Sequence, residues 1–183
     1  MTESIISSKP VLSIDEISKI FLTTAQHTLE TSTQLEVTYS STIQKIPKVS
    51  MKPDLTCFVQ FSGDYNGLVV VNFSANAALK IYQSYMKVMG MPEDEITDNI
   101  ASAEVTDTIG EMTNQVMGHL TKNIEEKYDL NADFGQPKAL TLSSAITLVI
   151  DSDYGENRRL SFKIGNNNFR IEIAMEHAEF IML

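Results

Sequence analysis

Apolar residues recur at helical spacing in three stretches of this 183-residue chain and alternate with polar ones through much of the remainder. The longest stretch runs from about Ile100 to Tyr128. In it Val105, Ile109, Met112, Val116, Leu120 and Ile124 follow one another at intervals of three and four, which lines them up as one apolar stripe on a helix. A second helix is predicted from Ser13 to about Ser32. Ser13 caps it, Glu16 stands at its third position to complete a capping box, and Ile17, Ile20, Phe21 and Leu29 turn inward. Its C-terminal half is rich in threonine and weak by propensity. The third helix spans Ser74 to Val88, with Ser74 as N-cap and Ala78, Ile81, Tyr82 and Tyr85 inward; Gly90 and Pro92 end it.

Between the helices the pattern is β. Leu35 to Ile43 reads as one strand, and Pro47 and Pro53 bracket a connection. Leu55–Phe61 and Leu68–Phe73 are strands joined by the turn SGDYNG. After the long helix come a short strand at Leu130–Phe134, a break at Gly135-Gln136-Pro137, a strand at Ala145–Ile150 and a solvated loop, DSDYGEN. Leu160–Ile164 and Phe169–Ile173 form a hairpin through GNNN. The two hairpins, FVQFSGDYNGLVVVNF and LSFKIGNNNFRIEIAM, each close a segment that opened with a helix and passed through an earlier strand. A helix–strand–connection–hairpin order occurring twice predicts an α+β fold: a mainly antiparallel sheet with two long helices packed on it. Residues 1–12 read as a flexible tail and 13–183 as a single domain, with the apolar ending EFIML docked on the core or on another subunit.

Composition narrows the function classes. A net charge of −10, with 24 acidic and 14 scattered basic residues, argues against nucleic acid or an anionic membrane surface as partner. No apolar run approaches the roughly 18 residues of a membrane span, so no membrane insertion is expected. The single cysteine, Cys57, excludes an internal disulfide framework and, with a polar N-terminus lacking signal-peptide features, points to the cytoplasm. Within LTCFVQF it reads as a small core residue on a strand. His27, His119 and His177 are far apart, and PEDEITD and DSDYGEN lack EF-hand spacing, so no resident metal or cofactor is expected. Phosphate-binding glycine loops and a nucleophile elbow are absent. An acidic protein without a basic pocket suits a partner that brings its own metal or lysine.

The long helix then carries the chemistry. At about 100° per residue, Asp107, Glu111, Asn114 and Gly118 fall within a band of roughly 60° on the side opposite the apolar stripe. Glu111 and Asn114, at i and i+3, are neighbours pointing the same way. The carboxylate can pair with a cation, and the carboxamide can both accept from and donate to a water and so aim it. A glycine in an exposed helix interior costs about 1 kcal/mol relative to alanine, which suggests that something outside the fold approaches Gly118. By spacing alone, a solvated helix face accounts for the same residues.

The string Asp107-xxx-Glu111-xx-Asn114-xxx-Gly118, on a long helix after an acidic lead-in, resembles the signature of the CheC/CheX/FliY family of chemotaxis phosphatases. The likeness extends more loosely from about Phe58 to Met175. It implies that Glu111 and Asn114 are the catalytic pair and that the substrate is the phospho-aspartate of a CheY-like response regulator. Glu111 would pair with the regulator's lysine and Asn114 would orient the attacking water, while Asp107 and Gly118 support the contact. The Mg2+ would be carried by the regulator, and a homodimer is implied. The first helix departs from two-site members: Glu16 is followed at i+3 by Lys19, with no ExxN and glycine, which makes this a CheX-like, single-site chain. Two other readings stay open. One is a non-catalytic dimeric binding module for a signalling or flagellar protein; the other is a small-molecule sensor with a pocket between helices and sheet.

Overall fold

The computed structural model describes residues 12–147 and 155–176. The chain opens with helix α1 (Ile14–Thr33), whose first turn carries the expected capping box: Ser13 Oγ accepts from Glu16 N, and the Glu16 side chain accepts from Ser13 N. Strands β1 (Val37–Tyr39), β2 (Gln44–Lys45), β3 (Ser50–Met51), β4 (Leu55–Gly63) and β5 (Gly67–Phe73) follow, then helix α2 (Ala75–Val88), capped by Ser74. A short 3-10 turn at Glu93–Glu95 leads to α3 (Ala103–Tyr128), capped by Ser102. Strands β6 (Ala132–Phe134), β7 (Lys138–Thr141), β8 (Ile146–Thr147), β9 (Glu156–Ile164) and β10 (Asn167–Met175) complete the described chain. The tail up to Val11 and the apolar ending EFIML lie outside the described residues, as do most of DSDYGEN and positions 148–150 of the strand expected at 145–150.

The architecture is α+β, as the pattern predicts. The main sheet is antiparallel in the order β1-β9-β10-β5-β4-β6, with β2 also on β9 and β7 also on β4. Exchanging β1 with β6, β2 with β7, β4 with β9 and β5 with β10 leaves that order unchanged, so the twofold repeat in sequence is a twofold repeat in space. β3 and β8, themselves equivalent under this exchange, pair with each other and, among the described residues, with no other strand. Helices α1 and α3 pack side by side against one face of the sheet, and the larger core lies between, with Phe21, Tyr82, Met112 and Leu120 among its members.

The opposite face is partly covered by the β3–β8 layer, where Val49 and Met51 meet Leu68, Val70 and Ala174. Covered on both sides, β5 is buried at every position, which is why GLVVVNF lacks the alternation of a half-exposed strand. Polar residues fasten the two layers. The fully buried Glu172 accepts from Ser50 N at 2.8 Å and from Arg159 Nε at 2.9 Å. Asn72 accepts from Lys52 N at 2.7 Å and Thr56 Oγ1 at 3.0 Å, and donates to Ser50 O at 2.9 Å.

The edges differ from the sequence expectation. Leu35–Ile43 is not one strand: Tyr39 faces Phe162 but Gln44 faces Arg159, so five steps along the edge cover three along β9. The cause is local, because Thr42 N donates to Ser40 Oγ at 3.2 Å, a side-chain bond that competes with the ladder. The other edge does likewise. Phe134 faces Phe61 and Lys138 faces Phe58, with Gly135-Gln136-Pro137 bulging between, and β7 resumes where no strand was expected. β3 was also unexpected, being two residues long between prolines.

The threonines of α1 have a structural reason. Thr24, Thr28 and Ser32, one turn apart, meet Asn123, His119 and Gln115 of α3. Asn123 Nδ2 donates to Thr24 Oγ1 at 2.9 Å, Thr28 Oγ1 meets His119 Nδ1 at 2.8 Å, and Ser32 Oγ donates to Gln115 Oε1 at 3.2 Å. Short hydroxyl side chains let the helices approach while satisfying polar groups along the seam.

Two outcomes follow for stability. Glu172→Ala strands the Ser50 amide and one side of Arg159, and is expected to cost about 2–3 kcal/mol in denaturant unfolding, the loss discounted because Arg159 reaches solvent. At the N-terminus of α1, the hydrogen bond from Arg158 Nε, at 2.6 Å, holds the Asp15 carboxyl below its ordinary value of 3.8. A depressed carboxylate stabilises above its unfolded pKa and loses that contribution as pH falls through the folded one. Melting from pH 5 down to pH 3, roughly spanning the carboxylate range, is expected to drop less in Asp15→Asn than in wild type.

Candidate functional site on helix α3

The six residues of the apolar stripe on α3 are at most 6 % exposed. That burial fixes the helix's rotation and turns the opposite ridge outward. Asp107, Glu111 and Asn114 are exposed on it, and Gly118 is half-buried. The structure therefore brings all four residues singled out from sequence onto one solvent-facing ridge. None of the hydrogen bonds among the described residues uses the Asn114 carboxamide, whereas Glu111 Oε1 accepts from Gln115 Nε2 at 3.2 Å.

The ridge is one wall of a groove. Thr106, Asp107, Gly110, Glu111 and Asn114 line it from the helix, and Phe134 to Ala139 line it from the bulge between β6 and β7, enclosing about 510 Å³ open to solvent. The edge bulge is thus what supplies the second wall. Lys138, on that wall, sets one cation opposite two carboxylates.

Gly110 was missed from sequence, although it is adjacent to Glu111; at about 100° per residue it lies roughly 40° outside the angular band of the other four. Among the described residues, a Cβ built on Gly110 meets nothing within 4 Å, and one on Gly118 meets the Phe134 ring alone, at 4.0 Å. Neither glycine is required by packing, and both lie in helical backbone. Clearance beside the pair is therefore wider towards the N-terminus of α3 than the Asp107–Gly118 string suggests.

Other candidates have structural roles. Cys57 is fully buried on β4, and burial pushes its thiol up to about 11, against nucleophilic work. His119 is exposed and committed to Thr28 through Nδ1. Among the described residues no three His, Cys, Asp or Glu side chains converge as metal ligands would, and no helix is long and apolar enough to cross a membrane. Among the described residues, a cavity between helices and sheet lined by Phe21, Met112, Phe169 and other apolar groups holds about 20 Å³, the room of a single water. A larger cavity of about 650 Å³ lies at the far end of the sheet, among Tyr39, Asp54, Lys163 and Arg170, and shares no residue with the ridge.

Counting back from the two left-handed C-caps, Gln34 of α1 and Asp129 of α3, Glu16 stands where Glu111 stands, Lys19 where Asn114 stands and Thr23 where Gly118 stands. The repeat keeps the carboxylate but not the amide or the glycine. Glu16 is moreover engaged at its own helix N-terminus and by the Tyr128 hydroxyl at 3.4 Å.

Two stacked helices over an antiparallel sheet of this twofold order is the fold of the CheX/CheC-like chemotaxis proteins. The CheX of Desulfovibrio desulfuricans superposes with a TM-score of 0.73 at 21 % identity, over 88 % of this chain and 99 % of that one. The CheX of Vibrio vulnificus gives 0.71 at 23 %, over 88 % and 99 %. CheX in the CheX–CheY–BeF3–Mg2+ complex from Borrelia burgdorferi gives 0.64 at 16 %, over 88 % and 98 %. The chain itself belongs to the family described as protein of unknown function (DUF3334), whose profile matches residues 8–183. No functionally curated protein matches it in sequence.

Since among the described residues a Cβ at Gly110 meets nothing and one at Gly118 makes only an ordinary contact with Phe134, Gly110→Ala and Gly118→Ala are each expected to raise unfolding stability by about 0.5–1 kcal/mol. A loss in either variant would show that these glycines serve the fold.

Proposed function

We propose that this protein is an aspartyl-phosphate phosphatase acting on a CheY-like response regulator, with Glu111 and Asn114 as its working pair. The carrying observation is an exposed carboxylate and an exposed carboxamide side by side on a rigid helix, beside a groove that glycines keep clear. A single small regulator element can enter such a groove.

The chemistry asks little else of this chain. Hydrolysis of an acyl phosphate is driven by positioning and charge neutralisation, and the attacking group is a water. The Asn114 amide, uncommitted within the described fold, accepts from and donates to that water, aligning it with the phosphorus. Glu111 pairs with the regulator's lysine and sets the depth of insertion. Mg2+ is the regulator's, as a complex holding CheX, CheY, BeF3 and Mg2+ in Borrelia burgdorferi makes natural. Asp107 extends the polar contact at the mouth of the groove. A cytoplasmic homodimer belongs to the same proposal, and sedimentation at two concentrations tests its assembly.

The test follows loss of phosphate from a phosphorylated CheY-like receiver with wild type, Glu111→Ala and Asn114→Ala. Asn114→Ala is expected to lower turnover by about two orders of magnitude with regulator affinity nearly kept, as removal of a water-positioning group does. Glu111→Ala is expected to weaken both. Gly110→Leu and Gly118→Leu should block docking with the helix intact by circular dichroism. Equal phosphate lifetimes in all variants would defeat the proposal, and binding without any change in lifetime would make the protein a docking module.

A further inference from the structure

Glu111 is not free on its helix, and the group that holds it comes from outside the motif. Gln115, one turn on, donates from Nε2 to Glu111 Oε1 at 3.2 Å, and its own Oε1 accepts from Ser32 Oγ of α1 at 3.2 Å. We propose that Gln115, anchored by Ser32, is a positioning residue that presents the Glu111 carboxylate to the partner. The role rests on the phosphatase function proposed above.

The chemistry at position 115 is restrictive. The residue must accept from a hydroxyl on one side and donate to a carboxylate on the other, which a carboxamide can do and a carboxylate or an ammonium cannot. The Glu111 carboxylate, which can only accept, fixes which way the amide lies: with the NH2 group facing Glu111, Oε1 is left to accept from the Ser32 hydroxyl. The rungs at Thr28–His119 and Thr24–Asn123 close the same helix seam without touching the motif. Only the Ser32 rung continues to Glu111. An exposed glutamate samples several rotamers, and one tethered through a half-buried glutamine loses less freedom when a partner docks.

Two readouts test it. In 15N spectra of the free protein, the Gln115 side-chain amide is expected away from the position of a solvated glutamine, moving to that position in both Ser32→Ala and Glu111→Ala. A solvated position in wild type would overturn the proposal whatever the protein's activity. In dephosphorylation kinetics, Gln115→Met is expected to raise KM for the phosphorylated receiver about fivefold, the order expected for freeing one immobilised side chain, with kcat within about twofold. Ser32→Ala should follow it part of the way, and Ser32→Thr, which keeps the hydroxyl, should restore KM. Thr24→Val, which breaks a rung remote from Glu111, should leave KM unchanged. In the Glu111→Ala background, Gln115→Met should add nothing. Equal effects of Gln115→Met in both backgrounds, or of Thr24→Val and Gln115→Met, would reduce Gln115 to a helix-seam residue. Unchanged kinetics in Glu111→Ala alone would instead defeat the phosphatase function, leaving the tether to the spectra.

Discussion

Burial of one stripe of α3 is the constraint from which the rest follows. Val105, Ile109, Met112, Val116, Leu120 and Ile124 each gain about 1.5–3 kcal/mol on leaving water, an upper bound since the unfolded chain is already partly collapsed. With six such residues in line, the helix has one favourable rotation. A slip of one residue would swing the outer ridge by about 100° and push Asp107, Glu111 and Asn114 out of line with the groove. The precision of the ridge is thus inherited from the core beneath it. The hydroxyl-rich seam with α1 adds the lateral register, and the β6–β7 bulge then places a wall of Phe134 to Ala139 opposite.

Much of this was legible in the sequence, for identifiable reasons. Helix α3 and its two faces, the capping box of α1 and both hairpins follow from short-range patterns: period 3.6, period 2, and Ser-x-x-Glu before an apolar run. The twofold order of elements was readable because each half repeats its own turn chemistry. The ridge of Asp107, Glu111, Asn114 and Gly118 was readable because helical geometry maps sequence spacing directly onto angle. The resemblance to the CheC/CheX/FliY family rested on those same four positions and the repeated order of elements, and the fold is one that the solved CheX structures share.

The parts that sequence did not reveal depend on partners distant in the chain. β7 contains only four residues and starts just after a proline, so its pairing with β4 is set by the sheet and not by its own pattern. Leu35–Ile43 alternates cleanly, yet Ser40 and Thr42 divert it locally, an effect invisible to periodicity. The threonines of α1 lower its propensity in isolation and make sense only against Gln115, His119 and Asn123. Glu172 and Asn72 look misplaced within apolar strands until Ser50 and Lys52, from a separate layer, are seen to satisfy them. Gly110 carried a signal, adjacency to Glu111, but its meaning needed the groove.

The spatial repeat has a consequence for counting. A chain built of two like halves could offer two equivalent faces, and here the halves have diverged: Lys19 and Thr23 stand in the places of Asn114 and Gly118, and Glu16 serves its own helix end. Duplication has been kept for architecture, while the Glu–Asn–Gly pattern stands in one half alone. On the function proposed above, this leaves one face per chain for a regulator, so that occupancy of each chain would rise as a simple hyperbola.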